Sequence, residues 1–123
     1  MPKQVLDVGN CGFDHSSLKS LIEGNFDAKV LQSHGPADTL KMLRQQSFDL
    51  VVINRKLDRD HSDGIDILKD LKSDEQLKDV PVMMLTNFED AQAAAQKAGA
   101  VPGFGKRDLG KETTLKKLEP FLG

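Results

Sequence analysis

Short apolar runs rich in Val, Leu and Ile recur along the chain, and between them the apolar residues switch to a spacing of three and four. The runs Gln4–Val8, Ala28–Gln32, Asp49–Asn54, Pro81–Thr86 and Val101–Gly105 predict β-strands. The inner ones are apolar at almost every position, as parallel strands covered on both faces should be. The segments Asp14–Gly24, Gly35–Gln46, Gly64–Leu77, Glu89–Ala100 and Gly110–Gly123 predict amphipathic helices. Leu18, Leu21 and Ile22 share one face, as do Ala37, Leu40 and Leu43, and Ile65, Leu68 and Leu71. Pro36 suits a first helical turn, and Glu112 followed by Lys116 and Lys117 suits the helix dipole. A strand–helix alternation repeated five times implies right-handed crossovers and a parallel sheet with helices on both faces. The expected fold is α/β and flavodoxin-like: a doubly wound five-stranded sheet in the order 2-1-3-4-5 with five helices, residues 1–123 forming one domain.

Composition narrows the function. A length of 123 residues is enough to bury roughly two thirds of the unfolded surface. A net charge of −2 with 29% charged residues gives no basic excess for nucleic acid or an anionic membrane. Six Phe with no Trp or Tyr leave little for stacking on bases. One cysteine, Cys11, cannot form an internal disulfide, and the absence of a signal-peptide core or a long apolar run points to a cytoplasmic setting.

In this fold, chemistry collects just beyond the carboxyl ends of the strands. Those positions hold Gly9 and Asn10, Asn54, Thr86, and Lys106. With "FDLVVIN" ending at Asn54, "PVMMLT" ending at Thr86, "AGAVPGFGK" ending at Lys106 and a glycine at Gly64, the whole chain resembles a response-regulator receiver (CheY-like) domain. The resemblance implies two-component signalling, with a phosphoaccepting Asp at the end of the third strand and an acidic pair after the first strand that helps hold magnesium. Every acidic position is altered: Asn54 stands at the phosphoacceptor, and Gly9 and Asn10 at the acidic pair. The loop to Gly64 is longer than usual and lacks its proline, and Arg107 stands where a proline usually follows the lysine.

An amide cannot replace an ionised carboxylate as nucleophile, because its nitrogen lone pair is delocalised into the carbonyl. Magnesium needs hard oxygens, with one or two carboxylates among them. Phosphoacceptance and metal binding are therefore expected to be lost together, leaving no cofactor, metal or enzymatic activity. Asn54 is expected to accept a hydrogen bond from Lys106 and to donate to a strand-end carbonyl. The expected function is a phosphorylation-independent receiver working by protein–protein interaction, its partner a signalling protein such as a histidine kinase or an effector. Receiver relatives signal through the fourth and fifth helices. That places the candidate interaction face at Gln92, Gln96 and Arg107, beside the small side chains of Ala91, Ala93, Ala94, Ala95 and Ala98.

Other acids and turns carry competing readings. Asp58, Asp60 and Asp63 are substitute phosphoacceptors in a phosphorelay, or a calcium loop that fails the EF-hand spacing, since the twelfth position from Asp58 is Lys69. Asp63 also suits the N-cap of the third helix. The Gly9–Ser17 turn offers a small-ligand or nucleotide site at a helix N-terminus, without matching either glycine-rich phosphate motif, and Ser16 suits a helix cap there. Asp7 reads as a strand residue near a sheet edge or paired with a lysine. His15, His34 and His61 fall in separate turns without metal-ligand spacing.

Overall fold

Strand positions 50 to 53 split between two apolar layers. Leu50 and Val52 pack on one side of the sheet and Val51 and Ile53 on the other, all of them fully buried. The computed structural model describes Pro2–Gly123, with the elements β1 (Lys3–Val8), α1 (Gly12–Asn25), β2 (Ala28–Ser33), α2 (Pro36–Gln45), β3 (Leu50–Asn54), α3 (Gly64–Ser73), β4 (Val82–Leu85), α4 (Glu89–Lys97), β5 (Val101–Phe104) and α5 (Glu112–Leu122). A single 3₁₀ turn, Lys106–Asp108, separates β5 from α5. All strand pairings are parallel and the order is β2-β1-β3-β4-β5, the doubly wound arrangement expected. Leu18 and Ile22 of α1 and Leu118 and Leu122 of α5 cover one face of the sheet. Leu43 of α2, Ile67, Leu68 and Leu71 of α3 and Ala95 of α4 cover the other.

Several boundaries differ from the pattern, among them three helix ends. Helix α1 begins at Gly12, and its N-cap is Cys11, whose sulfur accepts from the Asp14 backbone N–H; Ser16 lies inside the helix and caps nothing. Helix α3 stops at Ser73 although Leu77 is buried, because the Asp74 carboxylate turns back to accept the Gln76 N–H at 2.9 Å. Helix α4 stops at Lys97, before the expected Ala100.

The β4–β5 pairing is irregular. Met83 pairs with Val101 and Leu85 with Phe104, so two residues of β5 oppose the single Met84. Pro102 has no N–H to offer across this bulge. The side chain of Gln92 fills in from α4: its Nε2 donates to Met84 O at 2.8 Å, and its Oε1 accepts from Gly103 N at 3.2 Å. A side-chain amide thus stands where a strand's own amide would, and it pins α4 to the end of the sheet.

Candidate functional site

Register brings the strand ends together. Val8 pairs with Ile53 and Asn54 with Leu85, so Gly9, Asn54 and Thr86 follow one another across the carboxyl edge of the sheet. The Asn54 side-chain nitrogen donates to Lys56 O at 2.7 Å and to Gly9 O at 3.4 Å. The second bond is the strand-end donation expected of the amide. Helix α3 can begin here only with glycine, since a Cβ on Gly64 would sit 2.1 Å from Asn54 O.

What lies over Gly9 was not legible as a site feature. The loop after β3 turns back, with His61 in a left-handed conformation at φ 60°. Leu57 N donates to Ser62 O, and Asp58 N donates to Gly9 O, each at 2.9 Å. Leu57 is thereby seated in the core at 1% exposure. Gly9 has φ +81°, and a Cβ added there would lie 2.3 Å from Leu57 Cδ2. Leu57 thus occupies the space that an acidic side chain at position 9 would need. The one apolar residue in "NRKLDRDHSDG" was the available signal.

Lys106 does not reach Asn54. Its ammonium bonds Asp14 Oδ2 at 2.7 Å, and this bond holds the Asp14 carboxyl below the usual carboxylate range. Helix α1 starts two residues earlier than the pattern implied, and Asp14 lies in its first turn, within reach of the lysine. The same acid at the N-terminus of α1 sets a negative charge where a nucleotide phosphate would bind.

Asn10 points inward, away from the strand-end cavity. At 1% exposure it donates to Asp7 Oδ1 at 2.5 Å. Asp7 is neither near an edge nor paired with a lysine. Strand β1 lies between β2 and β3, and the Asp7 carboxylate is fully buried, with His15 Nδ1 at 2.8 Å from its second oxygen. Burial pushes the Asp7 carboxyl above its ordinary value of 3.8, against the pull of the His15 and Asn10 bonds and the Lys106 charge. A group whose pKa rises on folding stabilises fully below its unfolded value, and that contribution is lost as pH rises through the folded pKa. Asp7→Asn keeps the shape, its oxygen accepting from Asn10 Nδ2 and its nitrogen donating to His15 Nδ1 of a ring that carries its proton on Nε2. It is therefore expected to be more stable than the native chain at pH 7, the gap closing as pH falls below the usual carboxylate range. Urea unfolding of both proteins across pH checks this, and a gap that reverses sign would show that the His15 charge outweighs burial.

The remaining acids face outward. Asp58, Asp60 and Asp63 are exposed. Asp60 accepts from the Ser62 N–H at 3.0 Å and hydroxyl at 2.7 Å, and Asp63 pairs with Lys56; these bonds lower both carboxyls. Asp63 does occupy the N-cap position of α3, but its carboxylate goes to Lys56 and makes no cap bond. Among the described residues no three His, Cys, Asp or Glu side chains converge as a metal site. Among the same residues no helix is long and apolar enough to cross a membrane.

Two hollows remain near the strand ends. A cavity of about 200 Å³ is lined by Asn54, Thr86 and Lys106, together with Arg55, Lys56, Asn87 and Phe88. A wider concavity of about 770 Å³ between α4, β5 and α5 brings Gln92, Gln96 and Arg107 together. Gln96 and Arg107 are exposed there. Gln92 is engaged inside the fold, so the free hydrogen bonds expected from it on this face are not available.

This fold and this set of strand-end positions define a receiver domain. A profile of the response regulator receiver domain family matches residues 15–109, and the chain belongs to that family, whose domains act in two-component signalling. Chemotaxis protein CheY-3 of Vibrio cholerae is 33% identical over 84 residues, a stretch that is 68% of this chain and 63% of that protein. The chain therefore spans less than two thirds of that relative's length. A response regulator from Chloroflexus aurantiacus superposes with a TM-score of 0.86 over 98% of both chains at 19% identity. Vibrio cholerae chemotaxis protein CheY4 superposes with a TM-score of 0.80 over 99% of this chain and 100% of its own, also at 19% identity.

Proposed function

We propose that this receiver domain signals without phosphoryl transfer or bound magnesium, by non-covalent association with a protein partner in two-component signalling. The observation that carries the reading is Leu57 seated over Gly9. The position of the family's acidic pair is acid-free, and a buried leucine also fills it. Asn54 supports the reading independently, because its amide nitrogen is no nucleophile and both its protons are engaged with carbonyls. No role as an enzyme is assigned, since no nucleophile–base pair faces the cavity. The α4–β5–α5 concavity with Gln96 and Arg107 at its margin is the surface assigned to the partner, on the family's habit of signalling there.

Incubation with magnesium and acetyl phosphate is expected to leave the intact mass unchanged. Magnesium is expected to leave the melting temperature unchanged as well, because a cation that binds neither state shifts nothing. A stoichiometric phosphate adduct mapped to Asp58, Asp60 or Asp63 would replace this reading with phosphorylation at a non-standard acid. Against that outcome, all three are exposed, and none lines the strand-end cavity.

A further inference from the structure

The cavity at the ends of β3 and β4 has an unusual wall. Three of its lining residues are cations, Arg55, Lys56 and Lys106, and none is an acid, in a chain whose net charge is −2. Lys56 and Lys106 have carboxylate partners, Asp63 and Asp14, which lie outside the lining. Arg55 has no carboxylate within salt-bridge distance among the described residues. Its guanidinium lies 4.9 Å from the centre of the Phe88 ring, which holds a planar donor fork in place without neutralising it. Thr86 adds a hydroxyl whose oxygen accepts from Phe88 N at 3.2 Å, leaving its proton to donate elsewhere. Asn87 adds an amide nitrogen, its oxygen being occupied by the Arg107 N–H at 3.1 Å. A neutral-to-cationic hollow with several free donors fits an anion.

Size and surroundings select which anion. A volume of about 200 Å³ holds one side-chain-sized group, well short of the roughly 300–1,000 Å³ that drug-sized ligands and cofactors occupy. The two exposed large apolar side chains among the described residues, Phe13 at 80% and Phe88 at 53%, both belong to this end of the fold. Phe13 follows β1 and Phe88 follows β4, the two strands that flank β3 in the sheet. A charged centre beside an exposed aromatic, here Phe88 against Arg55, is the anatomy of a protein-docking site, whereas a free inorganic ion has no use for the ring.

From this we infer that the strand-end cavity is an anchor site for a carboxylate side chain of a protein partner, with Arg55 as its main counter-charge and Phe88, which lines the cavity, contacting an apolar neighbour of that acid. The inference rests on the reading of the domain as a protein-binding module, and adds a second contact surface to the α4–β5–α5 concavity.

The test is an amide NMR titration of the full chain with sodium acetate, with a blocked peptide of alternating Glu and Leu, and with sodium chloride at matched ionic strength. Acetate is expected to shift the Asn54, Thr86, Asn87 and Phe88 signals saturably while chloride does not. The peptide is expected to shift the same signals at a concentration at least about ten-fold lower, because a leucine beside the bound acid reaches Phe88. Arg55→Gln with Lys56→Gln is expected to abolish both responses with the circular dichroism unchanged. Equal shifts from acetate and chloride overturn the site. Acetate binding that the peptide does not improve overturns the protein source and leaves a small-oxyanion pocket. Saturable shifts confined to Gln96 and Arg107 move the acid to the other concavity and overturn the assignment. None of these outcomes touches the acetyl phosphate experiment, which reads covalent mass, so the two readings fail separately.

Discussion

Gly9→Asp is expected to destabilise the domain by about 3–5 kcal/mol without creating a metal site. Forcing a side chain onto φ +81° costs about 1–2 kcal/mol. Overpacking adds roughly 1–3 kcal/mol, because the new Cβ starts 2.3 Å from Leu57 Cδ2 and 3.3 Å from the Leu57 backbone. The Leu57 side chain can rotate away, but only by leaving the core in which it is buried. Burying a carboxylate at this position adds a further penalty. Urea unfolding of Gly9→Ala beside Gly9→Asp separates backbone and packing from charge. Adding Leu57→Ala to Gly9→Asp is expected to cost less than the sum of the two single changes, since the shortened side chain vacates the clash. Acids at positions 9, 10 and 54 together are expected to give no magnesium-dependent rise in melting temperature, and Asn10→Asp would also set a second carboxyl against Asp7. A Gly9→Asp protein within about 1 kcal/mol of native would mean that the loop yields easily and that Leu57 does not determine the closure.

The second large effect concerns a residue that looks replaceable on a helix surface. Gln92→Glu is expected to cost about 2–4 kcal/mol, because it removes the only donor the side chain has and aims a carboxylate at Met84 O, Thr86 O and Phe104 O. Gln92→Ala, which removes the amide without adding charge, is expected to lose less. Gln96→Glu, one turn further along α4 and exposed, is expected to stay within about 0.5 kcal/mol of native. Thermal unfolding of the three variants gives the ranking, and equal melting temperatures for Gln92→Glu and Gln96→Glu would show that the bulge holds without the amide. Any binding assay that replaces Gln92 measures this folding defect together with partner affinity, so Gln96 and Arg107 are the positions that probe the surface alone.

These two residues show where the sequence could be read and where it could not. The alternation of buried strands and amphipathic helices reports burial directly, because period two and period 3.6 are set by backbone geometry. It therefore led to the sheet, and the strand ends led to Asn54, Thr86 and Lys106. Side-chain pairing across the fold leaves no such trace. Lys106 and Asp14 are 92 positions apart, and a flexible lysine can reach several partners, so no local pattern shows that it bonds Asp14 rather than Asn54. Gln92 was misread for a related reason: its side chain on α4 fills in beside Pro102 of β5, which has no N–H, a vacancy visible only once the register of β5 is known. Asp7 could have been placed correctly from the expected strand order, which already sets β1 between β2 and β3. Leu57 lay in a run dominated by charged residues, where one apolar side chain carries little weight against its neighbours.

Leu57 also bears on how such a domain could carry information. No carboxylate lines the cavity and the space over Gly9 is filled, and on the proposed reading no donor modifies this end of the sheet, so the partner meets a single form of the protein. Occupancy then follows abundance: it rises with the amount of folded chain relative to the dissociation constant, and nothing faster than synthesis and degradation changes it. Because a loss of about 1–2 kcal/mol in stability alters cellular levels several-fold, the packing around Gly9 and the clasp at Gln92 would set the signal's gain, and variation at either position would change the dose of the message.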